Sequence, residues 1–222
     1  MRYKLTSFAF ILIAMSFTGI FQGCGPAEPS PLGTVEVRQY EGQDLSSASD
    51  FRENSIKGPQ HVDPADYHLR VDGLVERPAS YAYNEVLDNF ASFNKVVRLR
   101  CVEGWSVDIL WQGVRVGDLL AKARVQPEAK VIIFHAYDGY TTSLPIEYIV
   151  DNDILMAYSM NGVTLPPERG YPFELVAESK WGYKWIKWIT RIEVSDNTSY
   201  RGYWESLGFS NDGDVAKPST GE

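Results

Sequence analysis

From residue 67 to residue 194 the chain is a run of short apolar segments, each closed by a turn signal, with little room for long helices. Tyr67-His68-Leu69-Arg70-Val71-Asp72-Gly73 alternates apolar and polar residues and stops at a glycine, as a half-buried strand does. Residues 95–100 repeat the strand pattern and deliver Cys101 at its end. Residues 131–136 are largely apolar and run into Tyr137-Asp138-Gly139-Tyr140, a turn in which glycine supplies permissive backbone. Residues 172–176 and 188–194 read as two further strands, and short helices fit 83–90, 116–123 and 145–150. Many short strands with few brief helices predict an α+β fold, a single domain built on mixed or antiparallel sheet.

The N-terminus is of another kind. Arg2 and Lys4 precede an apolar run from Phe8 to Phe21, which ends at Gln22-Gly23-Cys24. A short positive region, an apolar stretch too brief for an ordinary membrane span and a small residue before the break mark a signal peptide. Its end resembles a bacterial lipoprotein signal, with Phe21 where leucine is usual and Cys24 as the lipidated residue. Plain secretion and a retained anchor are the alternatives. Residues 1–23 are thus expected to be a signal peptide, 24–49 a Pro-, Glu- and Ser-rich tether, 50–209 the folded domain and 210–222 a frayed polar tail. The expected location is the bacterial cell envelope, lipid-anchored and facing the periplasm. A formal charge of −8 argues against a nucleic-acid partner but permits a local basic pocket. With Cys24 consumed by lipid, Cys101 is the one remaining thiol, so a disulfide framework is excluded.

That thiol lies in Arg98-Leu99-Arg100-Cys101-Val102-Glu103-Gly104-Trp105-Ser106. Cationic neighbours favour thiolate, the form needed by a nucleophile or a soft-metal ligand. A buried, inert cysteine is the structural alternative. The second cluster runs from Lys180 to Arg191 and places four basic residues and three Trp in twelve positions without an acid. Positive charge gathered against the global trend suggests a bound anion, and Gly182 could let backbone amides approach it. An amphipathic strand with Lys outward is the other reading, and the Lys spacing also fits one helical face. Hydroxyls and aromatics from Phe134 to Pro145 could line a pocket mouth. His135 stands in an apolar strand and reads as packed. His61 and His68 are poorly spaced for a metal pair.

Taken in order, several segments resemble the sulfite oxidase family of molybdenum enzymes. They are Gln60, the strand 67–73, Arg100–Ser106, Trp111-Gln112-Gly113-Val114, Asp138-Gly139-Tyr140, residues 153–162, Gly170-Tyr171-Pro172, residues 182–188 and Gly202-Tyr203-Trp204-Glu205. The likeness is to small bacterial members related to the protein-methionine-sulfoxide reductase catalytic subunit, and spans about residues 55–209. It implies a mixed α+β domain and an oxygen-atom-transfer enzyme acting on a small sulfur-oxo or related substrate, by sulfite oxidation or sulfoxide reduction. It implies a molybdopterin whose metal takes Cys101 as its protein ligand, with Glu103 as the catalytic acidic residue nearby. Gly182, Tyr183, Lys184, Trp185, Ile186 and Lys187 would cradle the pterin phosphate, Lys184 and Lys187 as counter-charges. Asn54, Arg100 and Thr141 or Thr142 would be further cofactor contacts. Electrons would come from a separate partner, a cytochrome or a quinone-linked membrane protein.

Three features depart from the pattern. Glu174 stands where family members usually carry arginine after the Gly-x-Pro turn, which alters recognition of the pterin phosphate or of an anionic substrate. Arg2 lacks the second arginine of the signals that carry folded molybdenum enzymes across membranes. No haem-attachment motif appears. Two other readings stay open: a cofactor-free, ligand- or partner-binding lipoprotein on the same fold, and a cysteine hydrolase with Cys101 as nucleophile and His135 as base.

Overall fold

Residues 35–220 are described by the structure, a computed structural model. In chain order its strands begin with β1 (Gln39–Tyr40), β2 (Gln43–Asp44), β3 (His68–Gly73), β4 (Ala79–Ala82), β5 (Ser92–Arg100) and β6 (Ser106–Arg115). There follow β7 (Val131–Ala136), β8 (Thr141–Pro145), β9 (Leu155–Met160), β10 (Val163–Thr164), β11 (Glu174–Val176) and β12 (Ile189–Ser195). The helices are α1 (Tyr83–Asn89), α2 (Val116–Ala123), α3 (Ile146–Asp151) and the one-turn α4 (Tyr203–Ser206). The expected strands and short helices are present, with ends moved by up to three residues.

Two five-stranded sheets form the body. One has the order β10-β9-β6-β5, with β11 also on β9; the other has the order β4-β3-β12-β7-β8. In the second, β12 runs parallel to β3 and antiparallel to β7, so the sheet is mixed as the sequence predicted. Buried Leu69, Val71, Ile132, Phe134, Ile192 and Val194 come from its central strands. β6 and β9 are strands that the sequence pattern did not reveal. β6 has buried residues on both faces, so its apolar residues do not alternate. Gly113 lets β6 lie tightly against β9: a Cβ there would stand 2.3 Å from the Met156 carbonyl. Among the described residues no helix is long and apolar enough to cross a membrane.

Both domain boundaries move outward. Residues 35–49, read from composition as tether, are tied to the body. Asn161, fully buried, donates to Glu36 Oε1 and to the Ser46 carbonyl, both at 2.8 Å, and accepts from Leu110 N at 3.0 Å. Leu45 is buried beside this junction, and β1–β2 forms a small hairpin. The segment read as a frayed tail is also placed. Trp181 N donates to Gly213 O at 2.8 Å, Val215 N to Ser179 O at 3.0 Å, and Lys180 pairs with Asp212 at 2.7 Å. Composition misled at both ends because polar residues here bond to specific buried partners rather than to water. Cys24 and the signal peptide lie outside the described residues.

Candidate active site

Cys101 is the first residue of the turn that closes the long β5–β6 hairpin. Cys101 N donates to Trp105 O at 3.0 Å and Gly104 N to Cys101 O at 3.1 Å. Gly104 has φ +87°, a conformation a side chain would resist, so glycine allows the turn to close here. Glu103 is held by two side chains: Asn54 Nδ2 donates to its Oε1 at 3.3 Å and Trp105 Nε1 to its Oε2 at 3.1 Å. The arginines that flank the thiol in sequence do not activate it. Arg98 is turned outward into a bidentate pair with Asp108, and Arg100 is exposed. Burial pushes the Cys101 thiol above its usual range, Glu103 adds to this, and hydrogen bonds from backbone and the charge of Arg52 oppose it. The expectation of a thiolate favoured by its sequence neighbours is thus corrected: strand alternation sends those cations away.

The basic cluster is neither a helix nor an outward-facing strand. It makes a 3-10 turn over Gly182–Lys184, then runs as irregular chain into β12. Trp181 bridges to Arg100, which lays Gly182 against the cysteine: a Cβ on Gly182 would lie 3.4 Å from Arg100 O and 3.6 Å from the Cys101 Cα. Trp185 packs on Trp111 at 5.7 Å between centroids and donates to Lys180 O at 3.0 Å. Lys187 Nζ donates to Glu53 Oε1 at 3.0 Å and Glu168 O at 3.3 Å. Burial lowers the Lys187 pKa, Arg169 lowers it further, and Glu174 and Glu53 oppose this.

These parts meet around one cavity of about 300 Å³. Cys101, Glu103, Asn54, Gly182, Tyr183, Trp185, Ile186 and Lys187, all singled out by the sequence, line it. Four predicted contacts do not. Lys184 is fully buried and gives its ammonium to Glu205 Oε1 at 2.6 Å and Ser143 O at 3.1 Å. Thr142 donates to the same Glu205 oxygen at 2.6 Å, and Thr141 Oγ1 accepts from the Tyr200 hydroxyl at 2.9 Å. Arg100 contributes backbone, through its bridge to Trp181. The counter-charge assigned to Lys184 is therefore corrected, since a buried carboxylate already neutralises it. His135 pairs with Glu193 at 2.7 Å and does not line the cavity, so it cannot serve Cys101 as a base.

Sequence reasoning missed Asp138, Arg52 and Arg169 as lining residues, whereas Tyr140 is one of the aromatics expected at a pocket mouth. Asp138 accepts from Tyr140 N at 2.9 Å, and the Tyr140 hydroxyl donates to Tyr183 O, fixing turn and basic segment to each other. Only the Asp-Gly-Tyr turn signalled any of this. Arg169 had no local pattern to mark it.

Residues 56–204 match the model of the oxidoreductase molybdopterin binding domain. The chain belongs to this family. It is 36% identical over 157 residues to the Bacillus subtilis protein named uncharacterized oxidoreductase YuiH, covering 70% of this chain and 78% of that one. It is 28% identical over 204 residues to the protein-methionine-sulfoxide reductase catalytic subunit MsrP of Xanthomonas axonopodis pv. citri, covering 77% of this chain and 63% of that one. The crystal structure of the sulfane dehydrogenase SoxCD from Paracoccus pantotrophus superposes with a TM-score of 0.62 at 27% identity, over 65% of this chain and 42% of that one. The chain thus spans less than two thirds of the length of both the MsrP and the SoxCD chains.

The cavity suits the family's cofactor. Among the described residues no group of three or more His, Cys, Asp or Glu could hold a metal ion unaided, so a metal at Cys101 would need ligands from a cofactor. The backbone at Gly182 and the cations Arg169 and Lys187 on the same walls suit an anionic phosphate. Cys101 brings a thiol, a soft donor type, and Gly182, Tyr183, Trp185, Ile186 and Lys187 line the same cavity. The protein is a molybdopterin-dependent oxidoreductase.

Proposed function

We propose that this protein transfers oxygen atoms at sulfur, with reduction of a neutral sulfoxide as its principal direction. The observation that carries the reading is that Cys101 and the basic segment share one largely apolar cavity, with Gly182 packed against the cysteine backbone. The bound molybdopterin would supply the two-electron change; the chain does the rest. Trp105, Trp185 and Trp188 on the cavity wall limit water around the substrate sulfur. Glu103, oriented by Asn54 and Trp105, is placed to hold and deliver a proton to oxygen leaving the substrate. The cavity wall is largely apolar, which suits an uncharged sulfoxide better than doubly charged sulfite. The relative named as a methionine-sulfoxide reductase catalytic subunit supports this direction.

Reduction of a sulfoxide to sulfide and water consumes two electrons and two protons, so the reading requires an electron donor. A separate partner, a cytochrome or a quinone-linked membrane protein, fits a relative whose name is that of a subunit. Lipid on Cys24 would hold the domain at the envelope membrane beside such a donor, facing the periplasm. Anaerobic turnover with a reduced viologen dye tests the function. A dialkyl sulfoxide should oxidise the dye at a rate that scales with molybdenum content. Sulfite-driven reduction of an electron acceptor, with no sulfoxide turnover, would reverse the assigned direction. Mass spectrometry of the exported protein tests the anchor: an unmodified thiol on Cys24 would remove it.

A further inference from the structure

Position 174 holds an acid where the resemblance implies an arginine, and the structure shows what surrounds it. Glu174 is 1% exposed at the start of β11, and its Oε2 has no hydrogen-bond partner. It lies close to Lys187 because the residue between them is glycine: a Cβ on Gly170 would stand 3.0 Å from the Cβ atoms of both. Arg169, on the 3-10 turn just before that glycine, is 5% exposed, and its guanidinium lies 4.5 Å over the Phe51 ring. It makes no ion pair among the described residues, whereas Lys187 is already taken by Glu53 and Glu168 O. All three line the cavity that contains Cys101. The Arg169 charge acts on Glu53 and Glu174 but makes no ion pair with either, so its guanidinium is open to an anion, and a buried carboxyl oxygen without a partner is costly. One ligand group would satisfy both.

We propose that Arg169 and Glu174 together receive the pterin phosphate: Arg169 supplies positive charge, and Glu174 donates a hydrogen bond to the same phosphate as a carboxylic acid. This rests on the molybdopterin reading above. An ionised carboxylate would repel the phosphate, so Glu174 must keep its proton. Burial pushes it up to about 7, while Arg169 and Lys187 pull the other way. Those are the charged groups that face it, Arg169 from the 3-10 turn and Lys187 from the run into β12, with Glu53 behind Lys187. Cofactor retention should then be proton-linked, firm below about pH 7 and weaker as the pH rises through that value.

The test measures pterin per mole of purified exported protein, as its fluorescent oxidation product, after dialysis at about one unit below and above the Glu174 value. Circular dichroism confirms that each variant is folded. Wild type should hold its pterin at the lower pH and lose a larger share at the higher. Glu174→Gln, a neutral donor at either pH, should hold it at both. Arg169→Gln should lower content about tenfold or more at both, the scale of one charge-assisted contact, and Arg169→Lys should restore part of it. If Arg169→Gln does not fold, the Glu174→Gln profile and the Arg169→Lys content decide. Equal pterin in wild type and Arg169→Gln, or the same pH profile in wild type and Glu174→Gln, overturns the proposal alone. If Arg169→Gln keeps its pterin but raises KM for an anionic substrate, the cation belongs to the substrate and the proposal fails. Wild type without any pterin would overturn the cofactor reading itself, and this proposal with it.

Discussion

Replacing Lys184 by Met removes one end of an ion pair shielded from water. Both side chains are 0% exposed, and Glu205 Oε1 receives the Lys184 ammonium and the Thr142 hydroxyl, each at 2.6 Å. Breaking a buried pair from one side leaves an uncompensated charge and costs about 3–5 kcal/mol. In a domain of this size each kcal/mol shifts Tm by about 2–4 °C, so melting should fall by roughly 6–20 °C. Replacing both partners, Lys184→Met with Glu205→Gln, removes both charges and leaves an acceptor for Thr142, so most of the loss should be recovered. Thermal and urea unfolding of the two single variants and the double variant measures this. Pterin content of the folded double variant separates a structural lysine from a phosphate ligand, and it should stay near that of wild type. A single variant melting within about 2 °C of wild type would refute the buried-charge reasoning. A stable double variant without pterin would return Lys184 to the cofactor site.

Three further outcomes are expected. Gly202→Ala would place a Cβ 2.2 Å from the Thr141 carbonyl and 2.7 Å from Glu205 Oε2, so α4 must shift, at a cost of about 1–3 kcal/mol by urea denaturation. The Asp212 pKa is held below its usual value by hydrogen bonds from Lys180 and Lys217. A depressed carboxylate contributes stability above its unfolded pKa and loses it as pH falls through the folded one, so Asp212→Asn should flatten the acid limb of a stability–pH curve below about pH 4. Glu103→Gln should keep molybdenum bound but lower kcat by about a hundredfold, the scale of one general acid, in anaerobic dye assays.

Much of the fold was legible because its strands and brief helices carry local signals. Strands such as β3 and β7 end at turns that the sequence writes plainly, and α2 keeps its apolar face over Val116, Leu119, Leu120 and Ala123. β6 escaped because burial on both faces erases alternation. The site was half legible. Cys101 and Gly182–Lys187 stood out by residue type, but type does not tell where a side chain points. Lys184 and Lys187 differ by one turn of chain, and only packing shows that one ammonium is closed in by Glu205 while the other lies at the cavity. Arg98 and Arg100 flank the thiol in sequence, yet neither is among the cavity's walls. Arg169 and Glu174 gain their meaning from Gly170, which brings the acid close to Lys187, a proximity between positions distant in sequence.

The central claim is that Cys101 is the protein's ligand to molybdenum in a pterin-bound site. The most direct measurement is the molybdenum and pterin content of the exported protein beside that of Cys101→Ser, both confirmed as folded. Wild type should approach one molybdenum per chain with matching pterin, and the serine variant should lose the metal-centred spectrum. A folded wild-type protein with molybdenum at background, or a serine variant with an unchanged spectrum, would contradict the account.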